Sequence, residues 1–246
     1  MSTAYRPEGY GEVFADVYDV MYPDDDHVAA LVALLAELAG EGELLEIGVG
    51  TGRVALPLAA RGVAVHGIEA SPQMLEALLA KEPPATLTVE RSDMTDYTGR
   101  GGFAVATLLA QTLFLLPNSE SQRACLASAA EALAPGGLLV VEAYTRVPAA
   151  YRDPGRALSP VAVDPDMVVL VATDHDPVEQ RLLIQHIVLG VGEPLLLPVQ
   201  LRYAWPTELD LMAEAVGLRL RHRWSGPDQQ PVTAASETHL SIYERV

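Results

Sequence analysis

Apolar and polar positions along the first 145 residues follow a rhythm that switches between two periods. Over 25–40, "DDHVAALVALLAELAG", apolar residues recur every three or four positions, which predicts a helix with acidic residues at its start and Gly40 after its end. The short run "LLEIGV" predicts a buried strand, and "TGRVALPLAARG" the helix behind it. "AVHGIEA" predicts a second strand, and "SPQMLEALLAK" a helix with Ser71 as N-cap and Pro72 at its first position. "ATLTVERSD", "FAVATLLAQ" and "LLVVEAY" read as strands three to five, with a helix over "SESQRACLASAAEALA" before the last. Strands alternating with helices predict an α/β fold, a doubly wound parallel sheet covered on both faces. Its ligand crevice belongs at the carboxyl ends of the strands, near the switch in strand order.

After Tyr144 the rhythm changes. A loop carrying Pro148, Pro154 and Pro160 is followed by three apolar runs, "MVVLVATDHD", "QRLLIQHIVLG" and "EPLLLPVQLRYAW". Short polar turns between them predict an antiparallel meander. "TELDLMAEAVG" predicts a helix with Thr207 and Asp210 spaced as a capping box and Gly217 at its end. "LRLRHRW" and "HLSIYERV" read as a terminal hairpin, with the basic run on an exposed strand edge.

Charge narrows the partners. The chain has 33 Asp+Glu against 16 Lys+Arg, a formal net charge of -17, and its arginines are scattered except in that strand. Polyanion-binding proteins supply clustered cations, so no nucleic acid is expected. No apolar run reaches the roughly 18 residues that would span a membrane. "MSTAYRPEGYGEVF" lacks the layout of a secretory leader, so a cytoplasmic protein is expected. The single cysteine, Cys125, leaves no internal disulfide and no multi-cysteine metal site, and it reads as a buried thiol on a helix. No metal is expected.

The chemistry-bearing stretch is "LLEIGVGTGRVALPLAARGVAVHGIEAS", 44–71. Gly48, Gly50 and Gly52 follow the first strand and open the next helix, where backbone N–H groups favour a negatively polarised ligand. No Lys-Ser/Thr pair follows, which excludes a P-loop. Two nucleotide readings fit: "GTGRVA" satisfies the dinucleotide pattern in its alanine form, and "EIGVGTG" satisfies E-x-G-x-G-x-G. Glu46 and Glu69, at the ends of strands one and two, suit both. A carboxylate at the tip of strand two can take both ribose hydroxyls. Asp93, closing strand three, can accept from an adenine amine, with Met74 and Met94 on the ring.

"LLEIGVGTGRVALPLAARG", "GIEASPQML", "RSDMTDY" and "LAPGGLLVVEAY" together resemble the successive motifs of class I S-adenosylmethionine-dependent methyltransferases, over roughly residues 10–145. The resemblance implies a seven-stranded, Rossmann-like sheet whose reversed strand is "HLSIYERV", next to "LRLRHRW". It implies S-adenosyl-L-methionine as cofactor, with the glycine loop under its methionine part, Glu69 on the ribose and Asp93 on the adenine amine, and Arg53, Ala70 and Ala110 are also expected to bind it. "FADVYDVMY" is similar to the Y-D-x-x-Y start of small-molecule methyltransferases such as the macrolide sugar N,N-dimethyltransferases. In them an N-terminal tyrosine helps close the site over the methionine end, a role carried here onto Tyr18 and Tyr22.

The expected organisation is 1–145 for N-terminal helices and the cofactor half, 146–205 for an inserted lid or dimerising segment, and 206–246 for the helix and hairpin that complete the sheet. The expected activity is methyl transfer to an O or N atom of a small molecule in bacterial specialised metabolism. An NAD(P) oxidoreductase and a non-methylating cofactor-binding module are the alternatives. Tyr10, Tyr22, Gln111, Tyr144, His186 and Tyr203 are expected around the acceptor. Those sugar enzymes carry a histidine base just after strand four, where this chain has Leu115. No acidic-plus-histidine pair stands out, His27 and His66 read as structural, and no base is assigned.

Overall fold

The computed structural model describes residues 6–23, 25–148, 151–190 and 192–246. Part of the stretch searched for a leader, residues 1–5, lies outside these. Two short helices, α1 (Gly9–Phe14) and α2 (Tyr18–Met21), precede α3 (Asp26–Ala39), β1 (Leu44–Ile47), α4 (Ala55–Ala60), β2 (Val65–Glu69), α5 (Pro72–Leu79), β3 (Leu87–Arg91) and β4 (Phe103–Leu108). A 3-10 turn over Thr112–Leu115, α6 (Ser119–Ala132) and β5 (Leu133–Tyr144) complete the alternating part. The main sheet has seven strands, and its first five are parallel in the order β5-β4-β1-β2-β3. The hairpin of β10 (Leu218–Trp224) and β11 (Thr238–Arg245) extends it, β11 running antiparallel to β5.

The sheet is buried on both faces because its strands alternate between two apolar clusters. Leu45, Ile47, Ala106, Leu139 and Val141 face one cluster, which continues under α6; Leu44, Val105 and Val140 face the other, with α3 and α4. Local signals set the helix starts. Asp25 accepts from Val28 N–H at α3, and Ser71 accepts from Met74 N–H at α5, where Pro72 is the first residue. Cys125 is fully buried, and burial raises its thiol pKa.

A second, antiparallel sheet of four strands lies between β5 and the hairpin: β6 (Gly155–Val163), β7 (Val168–Asp176), β8 (Arg181–Leu189) and β9 (Leu195–Arg202). The last three match the predicted meander. β6 was expected as loop because of its prolines and polar residues. It is an edge strand, exposed over most of its length, and Pro160 stands where its register with β7 shifts. Proline is tolerated on an edge, where a missing N–H costs no ladder bond.

Helix α7 (Pro206–Glu214) also differs at its start. Pro206 occupies the first helical position, so Trp205 is the N-cap residue and no side chain caps the end. Asp210 instead accepts from Tyr243 Oη at 2.8 Å and pairs with Arg223 at 2.5 Å, tying α7 to the hairpin. Among the described residues no helix is long and apolar enough to cross a membrane.

Candidate active site

Strand order reverses between β1 and β4, and the chain leaves both strands at the same edge of the sheet. The glycine loop after β1 and the turn at Ala110–Gln111 therefore meet there. Gly48 has φ +77°, and a Cβ on it would lie 2.7 Å from Thr112 Cγ2, so only a bare backbone fits. Gly50 also has positive φ, and open space lies where its Cβ would be. Ala110 and Gln111 adopt positive φ in succession, +47° and +59°, a strained arrangement for residues with side chains.

These segments border a cavity of about 350 Å³. From the sheet come Gly48, Gly50, Arg53, Glu69, Ala70, Asp93, Met94, Ala110, Gln111, Glu142 and Tyr144, and Met74 comes from α5. The N-terminal segment adds Tyr10, Tyr18 and Tyr22, and the second sheet adds Ile184, His186, Val199 and Leu201 as a roof. On β8, Leu182 and Ile184 are buried at alternate positions, and His186 continues that inward series. Tyr10 stacks on Phe14 at 4.4 Å, and Phe14 meets the His186 ring edge-on at 6.5 Å, so the two roofing segments touch.

Glu69 is the structural hub of the floor. Its Oε2 accepts from Gly50 N–H at 3.1 Å and its Oε1 from Ser71 N–H at 2.9 Å, joining the glycine loop to the start of α5. Burial nevertheless raises its pKa above the usual carboxylate range. Asp93 Oδ1 accepts from both the N–H and the hydroxyl of Thr95 at 2.8 Å, an Asx turn that fixes the carboxylate at the rim. Lys81 fastens the N-terminal segment to the loop: it pairs with Asp19 at 2.6 Å and donates to Thr51 O at 2.9 Å, while Thr51 Oγ1 donates to Asp19.

Three expected residues lie off the cavity. Glu46 shares the face of Leu44, toward the α3–α4 side, so its carboxyl is buried beneath the loop. Its Oε2 has no partner, and burial pushes its pKa up to about 8, with Arg53 pulling the other way. Gly52 packs against α4: a Cβ there would meet Leu56 Cγ at 2.9 Å. Tyr203 lies just past the end of β9, where its buried hydroxyl is 3.1 Å from His175 Nε2 and its ring meets Trp205 edge-on.

His27 does not line the cavity, but it forms an acidic-plus-histidine pair, which the sequence did not reveal, with Glu142, a residue that does. His27 Nε2 is 2.9 Å from Glu142 Oε1, and Glu142 Oε2 accepts from Ala110 N–H at 2.8 Å. Glu142 is an acidic residue inside the otherwise apolar "LLVVEAY", a visible anomaly, but its partner is 115 positions away. Tyr151, Leu115, Ile184, Val199 and Leu201 also line the cavity without having been singled out as pocket residues. The inward positions of Ile184, Val199 and Leu201 depend on how the second sheet docks.

Residues 44–137 match the family model described as a methyltransferase domain. Over 98% of its length the chain is 37% identical to the CcbJ methyltransferase from Streptomyces caelestis, covering 100% of that structure with a TM-score of 0.91. The chain is a class I S-adenosylmethionine-dependent methyltransferase. This methyltransferase is also 28% identical to a cypemycin N-terminal methyltransferase from a Streptomyces species, over 97% of this chain and 98% of that one. It shares its fold with CalS10, an amino pentose methyltransferase from Micromonospora echinaspora solved with S-adenosylmethionine, at 20% identity, a TM-score of 0.72, and coverage of 94% of this chain and 97% of that one. These comparisons decide between the two nucleotide readings: the cofactor is S-adenosylmethionine, and the expected seven-stranded sheet with its reversed β11 is the one found.

Proposed function

We propose that this small-molecule methyltransferase acts on a neutral nitrogen, with a hydroxyl as the more demanding alternative, in bacterial specialised metabolism in the cytoplasm. The observation that carries this reading is the chemistry of the acceptor side of the cavity. Tyr10, Tyr22, Tyr144, Tyr151, Leu115, Ile184, Val199 and Leu201 bring no fixed charge, and the roof's one titratable group is His186. Its Nδ1 is buried without a partner, and burial lowers its pKa, which favours a neutral imidazole. The printed names of relatives agree, since one is an N-terminal methyltransferase and another methylates an amino pentose.

The cavity suits the cofactor on its own evidence. It offers a carboxylate at the tip of β2, bare backbone at Gly48 and Gly50, and one guanidinium, Arg53, with no ion pair among the described residues. On this reading Glu69 and Ala70 hold the ribose, and Asp93 with Met74 and Met94 holds the adenine. Gly48, Gly50, Arg53, Ala110 and Tyr18 surround the methionine end, and Glu46 and Gly52 support the loop from below. Bound there, the cofactor supplies an electrophilic methyl group on a sulfonium. The protein's part is to orient the acceptor, exclude water and take up the proton that the acceptor nitrogen loses, a role that on this reading falls to His186.

Isothermal calorimetry with S-adenosylmethionine and S-adenosylhomocysteine tests the cofactor site; heat with NAD and none with either of these would sink it. Radiolabelled methyl transfer to a panel of amines and alcohols tests the acceptor. The inserted segment, 146–205, we read as lid and dimerising surface in one, between a cofactor half at 1–145 and a completing hairpin unit at 206–246. Its exposed apolar side chains, Leu158, Val161, Val163, Leu195 and Leu196, favour a homodimer. Light scattering that returns a monomer would leave only the lid.

A further inference from the structure

The turn at Ala110–Gln111 puts two successive side-chain-bearing residues in the left-handed region at the cavity floor. It also presses Thr112 against Gly48 of the glycine loop. Such a turn persists only where its surroundings hold it. Here the Ala110 N–H is held by Glu142 Oε2 at 2.8 Å, while the other carboxylate oxygen is 2.9 Å from His27 Nε2. Glu142 is buried and lines the cavity; His27, at the start of α3, is half exposed and open to the solvent's proton.

We infer that Glu142 and His27 are positioning residues of the cofactor site: Glu142 clamps the turn after β4, and a protonated His27 locks Glu142 in that pose. The inference rests on the cofactor reading above and adds a dependence on pH. Both groups are tuned in the same sense. The Glu142 hydrogen bond takes His27 above its ordinary value, against burial. Burial alone would raise Glu142, but His27 and the Ala110 N–H bring it below the ordinary range. The other charged and titratable groups facing the pair are Asp25 at the N-cap of α3, Arg53 beyond the glycine loop, Tyr144 further along β5, and His239 on β11.

The sign follows. The lock is complete while His27 holds its proton and is lost as pH rises through a value above 6.5, the ordinary one for histidine. The experiment is S-adenosylhomocysteine calorimetry from about pH 6 to about pH 8.5, spanning a raised histidine. It compares a Glu46→Gln parent, in which the buried carboxyl of Glu46 cannot titrate in the same window, with His27→Gln and Glu142→Gln made in that parent. Affinity in the parent should fall roughly three- to tenfold across that range, the loss expected when one linked proton is released. His27→Gln keeps an N–H donor for Glu142 but cannot titrate, so its profile should lose that step.

Glu142→Gln should bind more weakly at every pH. By reciprocity, carbon-13 NMR of labelled histidine should show the His27 pKa rising on saturation with S-adenosylhomocysteine. A step that survives in His27→Gln, or a His27 pKa that falls on saturation, would overturn the inference while leaving the cofactor site intact. Wild-type protein, with Glu46 intact, that binds S-adenosylhomocysteine at no pH would overturn both. Thermal unfolding of each variant identifies one that is merely misfolded; His27→Gln, altering a half-exposed side chain, keeps the test available if Glu142→Gln does not fold.

Discussion

Replacing Gly48 by alanine separates two costs that the structure places at one atom. The backbone there has φ +77°, and the new Cβ would sit 2.7 Å from Thr112 Cγ2 and 3.4 Å from Thr112 Oγ1. The left-handed conformation costs an L-residue about 1–2 kcal/mol. Overpacking against Thr112 adds about 1–3 kcal/mol, because the 3-10 turn that carries Thr112 is itself packed. Lower chain entropy in the unfolded state returns about 0.4–1 kcal/mol. Gly48→Ala should therefore destabilise the protein by about 1–5 kcal/mol, no more than the ~5–15 kcal/mol by which most domains are stable. Thr112→Ser deletes the Cγ2 methyl and should relieve the steric part alone. Urea unfolding of wild type, both single variants and the double variant then gives a coupling of about 1–3 kcal/mol, with a residual cost of at most about 1.6 kcal/mol from the backbone once the entropy return is counted. S-adenosylhomocysteine affinity should recover in parallel, since the same contact sets the separation of the two segments around the methionine end. Strict additivity, a coupling below about 0.5 kcal/mol, would refute the claim that Gly48 is bare because Thr112 occupies the space.

Glu69→Ala should weaken S-adenosylhomocysteine binding by about 1–3 kcal/mol, or roughly 5- to 150-fold, by leaving hydroxyls and the Gly50 and Ser71 N–H groups unpaired; an unchanged calorimetric constant would contradict the ribose assignment. Glu46 holds its proton up to about pH 8 in the folded chain but releases it near 4.5 when unfolded. Its contribution is therefore present below that lower value and declines as pH rises between the two. Thermal unfolding without cofactor should show Glu46→Gln gaining on wild type from about pH 5 to about pH 8, a window set by that linkage, and parallel curves would refute it. Arg202 bonds Gln122 at 2.9 Å, Gln180 at 3.2 Å and Glu208 at 2.5 Å, joining the end of the second sheet to α6 and α7. Arg202→Leu should cost about 1–3 kcal/mol in urea unfolding, by stranding partly buried partners.

What could be read from residue order was whatever depends on neighbours. The five parallel strands, Ser71 as a cap, the glycine loop and the carboxylates of Glu69 and Asp93 all follow from short-range pattern plus one topological rule. What escaped depends on distant segments meeting. Glu142 interrupts an apolar strand, yet its meaning required His27, brought to it by the packing of α3 on the sheet. Tyr203 continues the inward parity of Val199 and Leu201, but the strand ends one residue before it. β6 failed as a strand prediction because an edge strand exposed on both faces keeps no apolar alternation for a reader to find.

Lys81 is the only lysine in the chain, and it fastens α2 to the glycine loop. Apart from any α-amino terminus, an amine-directed acylating reagent thus has a single target, at the fastening itself. Its rate of modification would report how often that fastening lets go. A cofactor that shuts the site should shield it, giving a chemical stopwatch for opening that needs no engineered label and no knowledge of the acceptor.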